Sequence, residues 1–215
     1  MEACLYVWGY ANTGIQSMTT QKRSEDIQSF ERRASSYERS PMQGLFFDRI
    51  HRAALELIPA EMDPAVIVDI GCGTGRLLRK LARRWPEASL IGVDPSEGMV
   101  AEARRLTPGA TFYVGQAEDL PLEAASVDLV VSTTSFHHWR DQALGVRQVG
   151  CALRPGGCFV LADILTPHWL YLLIHHGRWA SPVMVREMFD QAGLEVQAQQ
   201  RAMGRHLLLT VGLRT

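Results

Sequence analysis

From Ala65 onward, short apolar runs alternate with segments whose apolar residues recur at helical spacing. Val66–Ile70 is a β-branched run with one acid in it, and reads as a buried first strand. Gly75–Arg84 follows as a helix, with Leu77, Leu78 and Leu81 turned inward. "SLIGVD" at 89–94 is a second strand and Pro95–Arg105 a helix; "TFYVG" at 111–115 and "VDLVVS" at 127–132 are the third and fourth strands. Asp141–Leu153 is a helix, and "GGCFVLADI" at 156–164 is a fifth strand entered through the turn "RPGG". Val183–Ala192 is a helix closed by Gly193 at its C′ position. "LEVQAQ" and "HLLLTVGL" close the chain, joined around Gly204 by a connection too short for a parallel crossover. This alternation predicts an α/β, doubly wound, mostly parallel sheet with an antiparallel last strand.

Two amphipathic segments precede the sheet. In "SEDIQSFERRASSYERS", Ser24 is a candidate N-cap, and Ile27, Phe30, Ala34 and Tyr37 share a face. Ser40-Pro41 breaks the chain, and "MQGLFFDRIHRAALELI" repeats the pattern as a second helix. Residues 24–60 are therefore read as N-terminal helices and 61–215 as the main domain. Residues 1–23 read as a disordered leader with Met18 as the natural start; Glu2 and the lack of a basic n-region make a poor signal peptide.

Composition narrows the partners. A net charge of −1 over 215 residues gives no basic footprint for nucleic acid. No window is apolar for long enough to span a bilayer. The four cysteines form no CxxC pair and no zinc spacing, which suits reduced thiols in the cytoplasm and no metal site.

The chemistry concentrates after the first strand. Gly71, Gly73 and Gly75 stand between a strand and a helix, where bare backbone can turn sharply and approach a ligand. Arg76 occupies the position after Gly75, so the spacing is not the G-x-G-x-x-G of dinucleotide sites, and no Lys-Ser/Thr pair makes a P-loop. Asp94 ends the second strand, where a carboxylate can accept from two ribose hydroxyls; it also stands before Pro95, where it would cap a helix.

"VDIGCGTGR", "IGVDPSEGMV", "VGQAEDLPL", "VDLVVSTTSFHHW" and "LRPGGCFVLAD", in that order, resemble the motifs of class I S-adenosylmethionine (SAM)-dependent methyltransferases. The nearest likeness is the small-molecule branch typified by enzymes of ubiquinone and menaquinone biosynthesis, over about residues 25–215. The resemblance implies a seven-stranded Rossmann-like fold, SAM as methyl donor with S-adenosylhomocysteine as product, and a small-molecule acceptor. It implies that Asp69 and the loop Gly71-Cys72-Gly73 to Gly75 hold the methionine moiety, acid and backbone N–H groups together meeting a zwitterion. Asp94 becomes the ribose acid, Pro95 and Met99 the adenine cover, and Ala117 and Glu118 the adenine-edge contacts. Gln116 stands where the family often has aspartate, so Gln116, Glu118 and Asp119 are alternatives for the adenine amino group.

Thr133 and the following "TSFHHW" are expected to lead toward the methyl group. His137 and His138 are candidate general bases there, against an alternative role as structural contacts. Trp139 and Trp169, with Tyr171, His175, His176 and Trp179 near the latter, are candidate walls of an apolar acceptor site. Phe30 and Tyr37 are candidate lid residues. Amphipathic N-terminal helices serve lids and dimer contacts alike, so a homodimer stays open. A non-catalytic SAM-binding protein and a protein or RNA methyltransferase are the alternative functions.

Overall fold

The computed structural model describes residues 27–32, 34, 37–38, 43–165 and 180–215. The leader, the Ser24 cap, Trp169 and its aromatic and histidine neighbours lie outside the described residues. Residues 27–32 are helical. A π-helical turn, Gln43–Phe47, then runs into α1 (Asp48–Glu56), where the apolar spacing had predicted one continuous helix.

The sheet follows as β1 (Val66–Ile70), α2 (Arg76–Arg84), β2 (Ser89–Asp94), α3 (Glu97–Leu106), β3 (Thr111–Val114), β4 (Val127–Thr133), α4 (Gln142–Ala152), β5 (Leu153–Ile164), α5 (Pro182–Gln191), β6 (Leu194–Ala202) and β7 (Leu207–Arg214). Its order is β3-β2-β1-β4-β5-β7-β6 over seven strands. The first five run parallel, and β7 inserts antiparallel between β5 and β6. The sequence reading of a terminal hairpin with one reversed strand is borne out.

Most boundaries shift by one to three residues, and two of the shifts have a glycine behind them. β5 begins at Leu153, so the "RPGG" turn lies inside it as an irregularity: Val127 pairs with Leu153, but Leu129 pairs with Cys158. Gly156, at φ +79°, supplies the conformation this bulge needs. α2 begins at Arg76, because Gly75 is left-handed at φ +75°.

The core has a layer on each face of the sheet. Ile50, Ala54, Leu78 and Leu81 of α1 and α2 cluster with Ile67, Leu129 and Val160. Val146, Val149, Val185 and Phe189 of α4 and α5 cluster with Val68, Val130 and Phe159. β1 is central, flanked by β2 and β4, so the side chains at its end lie under both layers. The chain reverses its direction of winding between β1 and β4, and the crevice at the carboxyl ends of such strands is where open α/β sheets bind ligands.

Candidate functional site

The glycine loop leaves β1 at this crevice. Gly71 is at φ +74°, and a Cβ there would lie 2.2 Å from the Ser135 Cβ, so no larger residue fits. Ser135 is fixed in turn: its Oγ donates to the Ile70 carbonyl at 3.0 Å and meets the Ser132 Oγ at 2.9 Å. Gly73, also left-handed, has nothing near its missing Cβ, because it borders open space.

Four of the loop's five amide donors, which the resemblance would turn toward a zwitterion, are engaged within the protein. Gly71 N–H and Cys72 N–H both donate to the Val93 carbonyl, at 2.7 and 3.2 Å, and Gly75 N–H donates to the Cys72 carbonyl at 2.9 Å. Gly73 N–H donates to Asp94 Oδ2 at 2.9 Å, while Asp94 Oδ1 accepts from Ser96 N–H at 2.9 Å. Asp94 thus ties the loop to the start of α3. The expectation that Asp94 itself caps that helix is corrected: Ser96 is the N-cap, accepting from Met99 N–H. Burial pushes the Asp94 carboxyl up to about 6, opposed by the Ser96 and Gly73 hydrogen bonds and reinforced by the nearby Glu31 charge.

A cavity of about 810 Å³, counting its open mouth, spans the carboxyl ends of β1 to β4. Of the predicted residues, Gly71, Gly73, Asp94, Pro95, Met99, Ala117, Glu118, Thr133, His138 and Trp139 line it, and Phe30 and Tyr37 roof it. Gln116 lines it too, whereas exposed Asp119 does not. Glu118 Oε1 accepts from Arg140 N–H and Asp141 N–H, so this acid also holds the segment after the histidines. Gly75 does not line the cavity; it lies against Thr107 and Phe112. The Cys72 thiol is buried beside Gly92 and held well above its ordinary pKa by burial, so it is no nucleophile.

A second, smaller cavity shares Tyr37, Gly71, Gly73, Thr133 and Thr134 with the first, and extends to Asp69, His51 and Arg76. Asp69 is 2% exposed and its Oδ1 has no hydrogen-bond partner. Burial, reinforced by the charge of Asp94, pushes its carboxyl up to about 8. An unsatisfied buried acid is costly unless a ligand donor completes it. Thr134, at φ +53°, is a β-branched residue in the left-handed region, and this strain sits where the two cavities meet.

Two glutamates dock the N-terminal helix. Glu31 accepts from Ser96 Oγ at 2.8 Å and Gly98 N–H at 3.0 Å. Glu38 accepts from Thr74 Oγ1, Arg76 and Arg79 at 2.6–2.7 Å. Arg76, read from sequence only as the residue that spoils a dinucleotide motif, also holds Asp48 of α1 in a two-point contact at 2.8 and 2.9 Å.

The two adjacent histidines separate. His138 faces the large cavity, edge-on to Phe30 at 5.7 Å between centroids. His137 does not line it; its Nδ1 and N–H engage the two oxygens of buried Asp163 at 2.8 and 2.7 Å. The two imidazoles lie 4.0 Å apart. Asp163, Glu38 and His51 were missed in the sequence: Asp163 closes the fifth-strand motif but meets His137 from 26 residues away, Glu38 meets Arg76 and Arg79 across the fold, and His51 is a polar position of α1 that borders a cavity.

A methyltransferase fold with a nucleoside-sized crevice is what these elements define. Residues 67–157 match the methyltransferase domain family. A malonyl-[acyl-carrier protein] O-methyltransferase of Dechloromonas aromatica is 34% identical over 177 residues, covering 78% of this chain and 64% of that protein. A trans-aconitate 2-methyltransferase of Methylobacterium nodulans is 37% identical over 98 residues, 46% of this chain and 38% of that protein. The chain thus spans less than two thirds of the length of these relatives. In a solved complex of Haloferax volcanii, between the methyltransferase activator Trm112 and a methyltransferase, one chain superposes with a TM-score of 0.73. It is 28% identical, with 86% of this chain and 97% of that one covered. Residues 67–157 thus carry a methyltransferase domain, and over most of its length the chain resembles class I SAM-dependent methyltransferases. Among the described residues no helix is long and apolar enough to cross a membrane.

Proposed function

We propose that the chain transfers the methyl group of SAM to an O, N or C nucleophile of a small-molecule acceptor. The observation that carries this reading is the pair of joined cavities at the switch point, with the buried acids Asp94 and Asp69 distributed between them. The residues suit the three parts of the cofactor. Asp94 would accept from the ribose hydroxyls, Met99, Pro95 and Ala117 would cover the adenine, and Asp69 would take the methionine ammonium. Gln116 or Glu118 would meet the adenine edge. When bound, SAM supplies a sulfonium methyl group that a nucleophile displaces in line, so the chain's own task is positioning and exclusion of water. Phe30 and Tyr37, on the docked N-terminal helix, would serve as the lid over this reaction.

Thermal-shift titration with SAM, S-adenosylhomocysteine and NAD tests the central claim. Stabilisation by the first two alone is expected; stabilisation by NAD alone would overturn it. Methyl transfer to a panel of acceptors then separates an enzyme from a SAM-binding module. Because two relatives are a malonyl-[acyl-carrier protein] O-methyltransferase and a trans-aconitate methyltransferase, carboxylic acids and their thioesters head the panel.

For an acceptor that must lose a proton, His138, which lines the cavity, would receive it, and Asp163 and His137 would orient it from behind. His138→Ala should lower kcat by about 10²-fold and remove the acidic limb of its pH profile, a loss typical of general-base removal. An unchanged profile would end that role. A cytoplasmic setting and a homodimer through the N-terminal helices extend the same reading; light scattering on the purified chain tests the dimer.

A further inference from the structure

His51 stands on the second turn of α1 and is 6% exposed. Its Nδ1 has no hydrogen-bond partner. The Asp48 carboxylate is 4.0 Å away, too far to accept, and is already engaged by Arg76 and Lys80. A leucine at this position would continue the apolar face that Ile50 and Ala54 present to the core, with nothing left unsatisfied. The histidine instead lines the smaller cavity, the one that Asp69 also lines with an unpartnered oxygen. Burial first, then the charges of Lys80 and Arg76, hold the imidazole down at about 3, so it is neutral at working pH and keeps an N–H to donate.

An amino-acid end entering this cavity brings an ammonium and a carboxylate. Asp69 answers the first. Four of the loop's five amides, those of Gly71, Cys72, Gly73 and Gly75, are already engaged within the protein, so the loop offers the second at most the Thr74 N–H. Arg76 borders the cavity and gives that side a positive field, but each of its three guanidinium nitrogens already donates to Glu38 or Asp48.

We propose that His51 is a cofactor-binding residue that donates a hydrogen bond to the α-carboxylate of the methionine end, in the cavity that Asp69 also lines. The proposal rests on the SAM reading. It gives the cavity two recognition elements of opposite polarity, so that the nucleoside alone or an amine analogue is held less well than the complete zwitterion.

Calorimetric titration of the full chain with two ligands tests it: S-adenosylhomocysteine, and 5′-(3-aminopropyl)thioadenosine, which keeps the ammonium and lacks the carboxylate. His51→Leu should weaken S-adenosylhomocysteine about tenfold, the loss of one hydrogen bond to a charged group, and leave the amine analogue within about twofold. The unliganded variant should melt at or above the wild-type temperature, because an unsatisfied buried nitrogen is gone. His51→Gln, which retains a donor, should recover part of the affinity. His51→Phe, which keeps a ring without nitrogens, gives the same comparison should the leucine variant not fold. Equal losses for both ligands, or no loss for S-adenosylhomocysteine, would overturn the role of His51. A wild-type chain that binds neither ligand would overturn the SAM reading itself, and this inference with it.

Discussion

Asp94→Ala should cost SAM at least about 100-fold in affinity, the largest loss expected from any single side chain in the cavity. Two contributions add. The carboxylate would accept from the ribose hydroxyls, and charge-assisted hydrogen bonds are each worth about 1.5–3 kcal/mol. It also anchors Gly73 N–H and Ser96 N–H at 2.9 Å, so its removal frees the loop from the start of α3. A pair of nucleosides separates these effects. Wild type should prefer adenosine to 2′,3′-dideoxyadenosine, and Asp94→Ala should lose that preference as well as overall affinity. If the variant binds more weakly but still discriminates, Asp94 only holds the loop and the ribose assignment is wrong. Asp94→Asn keeps the shape and turns one acceptor into a donor, and should fall between the two, about tenfold below wild type.

Much of this cavity was legible because its parts are local in sequence. Gly71, Gly73 and Asp94 follow directly from strands whose β-branched runs mark their ends. The pairing order of the sheet then puts those ends side by side. What stayed hidden depends on pairs far apart along the chain. Glu31 and Glu38 look like ordinary helix-surface acids until Ser96, Gly98, Arg76 and Arg79 face them. His137 and His138 are neighbours in sequence, yet the short 3-10 turn Phe136–His138 sends one ring to Asp163 and the other to the cavity. His51 reads as one more polar position in an amphipathic helix, since periodicity cannot tell a solvated face from one that borders a cavity. The loop amides mislead in the opposite sense: a glycine loop suggests donors free for a ligand, but those of Gly71, Cys72 and Gly75 go to backbone carbonyls and that of Gly73 to Asp94, and the glycines serve turning and close approach.

The second large effect expected is on pH. Asp69 sits at about 8 in the unliganded protein, pushed up by burial and by Asp94. At neutral pH it is therefore largely protonated, and a ligand ammonium can pair with it only in the ionised form. Binding should then release a proton, and affinity for S-adenosylhomocysteine should rise with pH between about 6 and 8, approaching tenfold per unit while the bound-state pKa stays below that range. Asp94, at about 6, adds to the lower part of this rise. Stability of the unliganded protein should move the other way. Both acids hold their protons more tightly folded than unfolded, so stability is greatest below their ordinary carboxylate range and declines as pH climbs toward 8. The thermal shift given by ligand should consequently widen from pH 6 to pH 8 while the unliganded melting temperature falls. Calorimetry in buffers of different ionisation enthalpy counts the released proton directly. Asp69→Asn removes the titration near 8: its affinity should be flat from about pH 7 upward and lower than wild type at pH 8, the acid having been replaced by a neutral amide. If wild type shows no proton release, or the asparagine variant keeps the same pH slope above 7, then Asp69 does not meet the ammonium. The smaller cavity would in that case take a ligand without a cationic end.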